Sequence, residues 1–263
     1  MDQPAPATPA AEIDLSHARL RAGAALDSPL YKEVKRLLTE TIQSGEWKPG
    51  TAIPSERQLS ARFHVAVGTL RKAVDELVQE RILIRQQGRG TFVAAHNRDR
   101  MMFHFFHIQR EDGEKPTPDV ELLSFKASLA DAGEAARLGI AAGDKVLRIA
   151  NVLRLAGEPV IFDRISIPRA LFPGLTAAQF RNRPSTIYHL YQTAFGITVV
   201  RSAERLRACR ADAETARILG VAKGAPLLEI RRVAMTFHDA PVEYRVSLVN
   251  TEHHEYFSDL AKA

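Results

Sequence analysis

The stretch HVAVGTLRKAVDEL, His64 to Leu77, decides how the first third of the chain is read. Leu70, Ala73, Val74 and Leu77 recur at helical spacing and form one apolar stripe, so the segment reads as an amphipathic helix. Its other face carries Thr69, Arg71, Lys72 and Asp75. A charged outer face usually meets only water, and the neighbouring segments decide whether this one does more. Upstream, Ser55 followed three residues later by Gln58 is a capping box, which predicts a helix from Glu56 to about Phe63. His64 and Val65 then make a short turn. Before that, SPLYKEVKRLLTETIQSGEWKPG predicts a first helix with Ser28 as cap, Pro29 in the first helical position and Gly45 at its end. The long helix should stop near Glu80–Arg81. The following ILIRQQGRGTFV gives two short apolar runs about Gln87-Gly88-Arg89-Gly90, a β-hairpin signal.

Three short helices with the last two tightly linked, then a hairpin, make a winged helix-turn-helix. In that arrangement the third helix enters a DNA major groove while the hairpin tip lies along the backbone or minor groove. The polar face of the opening stretch is therefore expected to read DNA.

The bulk composition permits this. The chain has 263 residues, enough for two domains, with 45% hydrophobic residues and a formal charge of +5. Residues 28–96 alone carry 11 Lys/Arg against 7 Asp/Glu, most of that excess. A basic balance admits an anionic partner without proving one. The single cysteine, Cys209, excludes an intrachain disulfide and a cysteine metal cluster, and fits a reducing cytoplasm. No apolar run approaches the ~18 residues of a membrane span. Residues 1–27, rich in Pro and Ala, read as a disordered tail rather than a secretory signal.

The run from Pro29 to Val93 closely resembles the DNA-binding domain of GntR-type bacterial transcription regulators, in the order and spacing of many separate elements. The resemblance implies that Arg57, Thr69, Arg71, Lys72, Gln87, Gly88 and Arg89 form the DNA-binding set. Arg57 and Arg71 would meet phosphates or base edges, and Gly88 would approach the minor groove where a side chain would obstruct it. Lys72 reads better as a phosphate-facing or solvated charge than as a base reader, and Arg57 has an alternative in pairing with Glu56. The family usually has serine and then arginine where this chain has Ala66 and Val67. The serine caps the third helix, and alanine at a cap costs about 1 kcal/mol. The arginine often contacts guanine, and valine lacks its two donors. Either the operator differs from the common half-site or Arg71 and Lys72 take over; Val67 could also touch a thymine methyl.

The rest of the chain hides a duplication. ADAGEAARLGIAAGDKVLRI (Ala130–Ile149) aligns without gaps with ADAETARILGVAKGAPLLEI (Ala211–Ile230), each pair 81 apart, with 10 of 20 positions identical. GEPVIF and DAPVEY extend the echo. Each unit reads as an Asp cap (Asp131, Asp212), a short helix ended by Gly139 or Gly220, a long strand, a tight turn and a returning strand. Strands near Val146–Leu155 and Leu227–Phe237 would pair with Val160–Pro168 and Val242–Asn250. The fold class is thus α+β: a winged helix-turn-helix, then an antiparallel-sheet domain with pseudo-twofold symmetry and a cleft where the copies meet. Domain bounds follow at 28–95 and 102–262, with a linker over 96–101.

This second domain resembles the UTRA effector domain of the HutC-like GntR subfamily, whose fold is similar to chorismate lyase. Matching pieces include LRLAGEPVIFDRISIP, PSTIYHLY, SAERLRA and PVEYRVSL. The resemblance implicates Arg154, Asp163, Ser185, Glu204 and Glu243 in binding a small-molecule effector. Arginine forks grip carboxylates or phosphates, and carboxylates accept from hydroxyls and amines. Val152 stands where the family often has a further arginine. Alternatively, Arg154, Arg205 and Arg231 lie on the solvent face of the sheet, paired with Asp163, Glu204 or Glu229. MMFHFFHI (Met101–Ile108) reads as an apolar strand at a dimer interface, not a metal site, since further ligands are lacking.

These readings point to a homodimeric, ligand-responsive regulator, a repressor, that binds near-palindromic double-stranded operator DNA in the cytoplasm without cofactor or metal. Two alternatives stand beside it: an enzyme of chorismate-lyase-like fold, and a constitutive DNA-binding protein whose second domain only dimerises. Against the enzyme stands the lack of a nucleophile–base set or phosphate loop in the sequence, and fold alone implies no activity.

Overall fold

The computed structural model describes residues 29–96, 102 and 105–258, in two compact units that divide at the Ala94–Ala95 bond. The predicted tail lies outside the described residues, as does the predicted linker apart from His96.

In the first unit, α1 (Leu30–Gln43), α2 (Glu56–Phe63) and α3 (Val67–Gln79) precede a hairpin of β1 (Leu83–Gln86) and β2 (Gly90–Val93). The apolar stripe of the opening stretch is the core: Leu70, Ala73, Val74 and Leu77 are buried beside Val34 and Leu38 of α1 and Leu59 and Phe63 of α2. The capping box forms as the sequence predicts, with Ser55 Oγ accepting from the Gln58 N–H and the Gln58 side chain accepting from the Ser55 N–H. His64 makes the turn at φ 50°. The start of α1 differs from expectation. Pro29 stands before the helix with extended ψ of 139°, so Leu30 is the first helical residue. Gly45 ends it as expected: α1 stops at Gln43, Ser44 is the C-cap, and Gly45 follows in the left-handed region at φ 79°.

The second unit carries the duplication in its topology. One copy is β4 (Asp119–Leu129), α4 (Ala132–Leu138), β5 (Lys145–Leu155) and β6 (Glu158–Pro168). The other is β7 (Arg201–Arg210), α7 (Ala213–Leu219), β8 (Pro226–Met235) and β9 (Pro241–Val249), with α5 (Ala177–Arg181) and α6 (Ile187–Phe195) between the copies. All six strands form one antiparallel sheet ordered β4-β5-β6-β9-β8-β7, so the copies meet at the β6–β9 pair. The repeat therefore includes the edge strands β4 and β7, which the alignment of helices and long strands did not reach. Asp131 and Asp212 cap α4 and α7, which end at left-handed Gly139 and Gly220. The two hairpin turns differ. Ala156 and Gly157, at φ 51° and 87°, close β5–β6 in two residues. The β8–β9 turn is instead a longer 3-10 turn through Phe237–Asp239 with His238 at φ 57°, so the tight turn predicted there does not form.

Strand alternation gives the sheet two dissimilar faces. Val146, Phe162, Leu227 and Leu248 pack beneath α4 and α7. On the other face, Leu147, Ile149 and Ile165 pack with α6 through Tyr188 and Tyr191, while Leu153, Ile161, Ile230 and Val249 meet Phe106 and Ile108. Among the described residues of the apolar run Met101–Ile108, only Ile108 is strand: it opens β3 (Ile108–Arg110), which pairs with β10 (His254–Tyr256).

Candidate functional site

Two surfaces carry chemistry, one in each unit. On the first, Arg57, Arg71, Lys72, Gln87, Gly88 and Arg89 are exposed and Thr69 is partly so. The ion pairs sort the cations. Glu56 accepts from Arg71 Nε at 2.9 Å and from Arg85 Nη2 at 3.3 Å, while Arg85 Nη1 lies 2.6 Å from Asp75. This chain of pairs ties α2, α3 and the wing strand β1 together on one side. Glu56 thus pairs with Arg71 and Arg85 and not with Arg57. Exposed pairs contribute little to stability, but they hold guanidinium groups in place while Arg71 remains 60% exposed. Lys72 folds back, its Nζ 3.9 Å from the Tyr31 ring centroid. Gly88 at the wing tip has φ 72°, and a Cβ there would meet open space, so its backbone conformation is what calls for glycine. At the start of α3, Ala66 offers no side-chain cap, and Val67 and Gly68 are exposed. The Val67 and Gly68 N–H groups are thereby left to solvent or to an anion, while the Thr69 N–H donates to the Ala66 carbonyl at 3.0 Å. Sequence reading missed Arg85; its place on a hairpin strand carries no periodic signal.

The second surface is a cavity of about 130 Å³ on the α6 face of the sheet. Phe105, Phe106, Ile108, Leu153, Ile161 and Ile230 supply apolar wall. Its polar groups come from four directions: Asn151 and Asp163 on β5 and β6, Arg232, Arg245 and Ser247 on β8 and β9, Arg183, Ser185 and Thr186 leading into α6, and His107 and Tyr256 at β3 and β10.

Most of these groups are bound to one another. Arg245 Nη1 donates to Asp163 Oδ2 at 3.0 Å, Ser247 Oγ donates to Asp163 Oδ1 at 2.5 Å, and Arg245 Nε donates to Glu243 Oε1 at 3.0 Å. Tyr191 and Tyr188 donate to the same Glu243 at 2.8 and 3.3 Å. A second group joins Arg232, which donates to Glu204 at 2.5 Å and to the Phe105 carbonyl, with Tyr256 donating to Glu204 at 2.5 Å. Burial works against the Glu204 carboxylate, yet Arg232 and Tyr256 hold it below the usual range. Arg183 is the exception. Its Nη1 donates to the Phe180 carbonyl, its Nε is buried without a partner, and no carboxylate among the described residues forms an ion pair with it. Burial and the neighbouring Arg245 both push its pKa down, although a guanidinium stays charged in any protein. Beside it, α6 begins at Thr186, whose hydroxyl accepts from the His189 N–H at 3.2 Å. A helix N-terminus carries about half a positive charge. Arg183 and α6 therefore give the cavity an unneutralised positive corner.

Of the five residues singled out for the effector, Asp163 and Ser185 line the cavity. Glu243 and Glu204 stand behind it, holding Arg245 and Arg232. Arg154 does not line it: its neighbours Asn151 and Leu153 do, while its Nη2 lies 3.4 Å from Glu121 on β4. Arg231 pairs with Glu229, as the solvent-face alternative has it. Asn151, Arg183, Arg232 and Arg245 were not foreseen. Only alternation along β5, β8 and β9 could have pointed to three of them, and the sequence does not say which face is covered.

Burial holds the His107 imidazole below its ordinary pKa of 6.5, and that of His254 likewise. The folded chain thus binds fewer protons than the unfolded one, so this stability is present above pH 6.5 and is lost as pH falls. The melting temperature is expected to drop between about pH 7 and 5.5, and His107→Gln to flatten part of that slope. A slope unchanged in the variant would contradict the assignment.

Comparison with known proteins agrees with both units. Residues 30–93 match the family of bacterial regulatory proteins of the gntR type, and residues 114–255 match the UTRA domain. Among similar proteins, the HTH-type transcriptional repressor NagR of Bacillus subtilis (strain 168) is 29% identical over 87% of this chain and 93% of its own length. The mannosyl-D-glycerate transport/metabolism system repressor MngR of Escherichia coli (strain K12) is 28% identical over 87% and 94%. The ligand-binding domain of a GntR-family regulator from Bordetella bronchiseptica superposes at a TM-score of 0.58 with 32% identity, over 60% of this chain and 98% of that one. YydK from Bacillus subtilis shares the fold at a TM-score of 0.53 and 18% identity, over 88% of this chain and 99% of its own. These relatives are transcription regulators and not enzymes. No described helix is long and apolar enough to cross a membrane. The chain belongs to the UTRA-domain transcription regulators of the GntR family, with a winged helix-turn-helix that binds DNA and a UTRA effector domain.

Proposed function

We propose that the protein is a homodimeric cytoplasmic repressor that grips a near-palindromic operator through two winged helices and lets go when an anionic metabolite fills the UTRA cavity. The observation that supports the effector's charge is Arg183, a half-buried guanidinium whose enclosed Nε has no partner and which forms no ion pair with a described carboxylate, beside the N-terminus of α6. Asp163 and Ser185 contact the ligand in this reading, while Glu243 and Glu204 orient Arg245 and Arg232. MngR, named for mannosyl-D-glycerate, is a relative whose named metabolite carries a carboxylate. The DNA set is Arg57, Thr69, Arg71, Lys72, Gln87, Gly88 and Arg89, joined by Arg85. A dimer brings two copies of it to two half-sites.

Selection of bound duplexes from a random pool tests this directly. An inverted repeat bound by two chains is the expected result; a single unrepeated site bound by one chain contradicts it. The same selection tests Val67. Exposed at the start of α3, it replaces a residue able to make two hydrogen bonds to guanine. Val67→Arg is expected to shift selection toward guanine at one step of each half-site, and identical motifs from both proteins would refute that.

A further inference from the structure

Asn151 lies on β5 in the wall of the cavity and is 1% exposed, yet neither its Oδ1 nor its Nδ2 has a hydrogen-bond partner. A buried amide with both ends unpaired is costly, and the great majority of such groups in folded proteins find partners. Its surroundings offer none. Asp163, opposite it across β6, is taken by Arg245 and Ser247, and Arg232 is taken by Glu204 and the Phe105 carbonyl. Ile149 and Leu153 flank it on the same face, so a leucine at 151 would continue an apolar strand face without leaving any polar atom unpaired. By the duplication, Asn151 occupies the place that Arg232 holds in the other copy, 81 residues on. One copy thus brings a satisfied charge to the cavity and the other an unsatisfied neutral amide.

We infer that Asn151 is the specificity-determining residue of the cavity and that it reads a pair of adjacent hydroxyls on the effector. The inference rests on the cavity being the effector site. An amide offers one donor and one acceptor side by side, and two neighbouring hydroxyls return an acceptor and a donor. Ser247 and Tyr256 add hydroxyl oxygens to the same cavity; their protons go to Asp163 and Glu204, so these oxygens accept from hydroxyl groups on a ligand. The effector is then a polyhydroxylated anion: its charged group sits toward Arg183 and α6, and its hydroxylated part lies against Asn151. A chain of equal length without hydroxyls leaves the amide buried and unpaired, and sites built to hydrogen-bond reject such analogues strongly.

The test uses the full chain and thermal unfolding, since a ligand that binds the folded state raises the melting temperature. Glucose 6-phosphate and gluconate are compared with hexyl phosphate and hexanoate, in wild type, Asn151→Leu and Arg183→Met. Without ligand, Asn151→Leu is expected to melt a few degrees above wild type. In wild type at least one hydroxylated anion should stabilise by several degrees more than its apolar counterpart, and that excess should vanish in Asn151→Leu. Three results overturn the inference: Asn151→Leu melting below wild type without ligand, no hydroxylated anion outperforming its apolar counterpart, or an excess that survives in Asn151→Leu. Should the excess survive in Arg183→Met as well, the cavity itself is not the binding site. Should it be lost there and kept in Asn151→Leu, only the role of Asn151 fails.

Discussion

Arg57→Ala and Arg71→Ala are each expected to weaken operator binding roughly 5- to 150-fold at fixed salt, the range that ~1–3 kcal/mol per good base contact gives. Both side chains are exposed on the face formed by α2, α3 and the wing, and neither supports the core. Arg71 leaves behind only its exposed pair with Glu56, and Glu56 keeps Arg85. Melting temperature and oligomeric state should therefore stay those of wild type. A base contact and a phosphate contact differ in one readout. Loss of a base contact lowers affinity for the selected site far more than for random duplex, whereas loss of a phosphate contact lowers both and reduces the salt slope by about one. Unchanged operator affinity in a gel-shift titration would remove either residue from the interface.

Arg183→Met carries the second large effect, on the switch instead of the grip. A ligand shifts a regulator only through differential affinity for two states, with coupling of about 1–3 kcal/mol. Deleting the unneutralised cation of the cavity should abolish that coupling and leave a repressor that binds its operator normally and ignores its inducer. The variant should fold, because no carboxylate loses a partner when Arg183 goes. Arg245→Met is the contrast. It strands Asp163 and Glu243, both fully buried, and breaking a buried pair from one side costs about 3–5 kcal/mol. An Arg183→Met protein that still responds to inducer would place the effector elsewhere, and one that loses DNA binding would make Arg183 structural.

The two halves of the chain were legible to different degrees, for physical reasons. The winged helix is written in local signals. A capping box at Ser55 and Gln58, a stripe at Leu70, Ala73, Val74 and Leu77, and glycines at a hairpin tip each act within a few residues. The duplication could be read because Asp131 and Gly139, and again Asp212 and Gly220, mark the ends of two matching helices. The cavity could not. Its walls come from β5, β6, β8, β9, the approach to α6 and the segment at Phe105–Ile108, far apart in sequence. Strand alternation tells that Asn151 and Arg154 point to different faces, but not which face α6 covers. Hence the family resemblance implicated Arg154, which turns to Glu121 instead, and passed over Arg183, in a short connection between α5 and α6. Glu243 and Glu204 came from the same resemblance as effector contacts, and the structure shows what they hold: Arg245 and Arg232.

The central claim is that the α3 and wing face reads a sequence and that the UTRA cavity governs the reading. The ratio of dissociation constants for the selected duplex and a shuffled duplex of equal composition, measured at one salt concentration with and without a compound that raises the melting temperature of the wild type but not of Arg183→Met, tests both parts at once. A preference of about 1000-fold or more is expected without the compound, with a collapse of that preference on adding it and no collapse in Arg183→Met. Equal affinity for both duplexes, or a preference that such a compound leaves untouched, would contradict it.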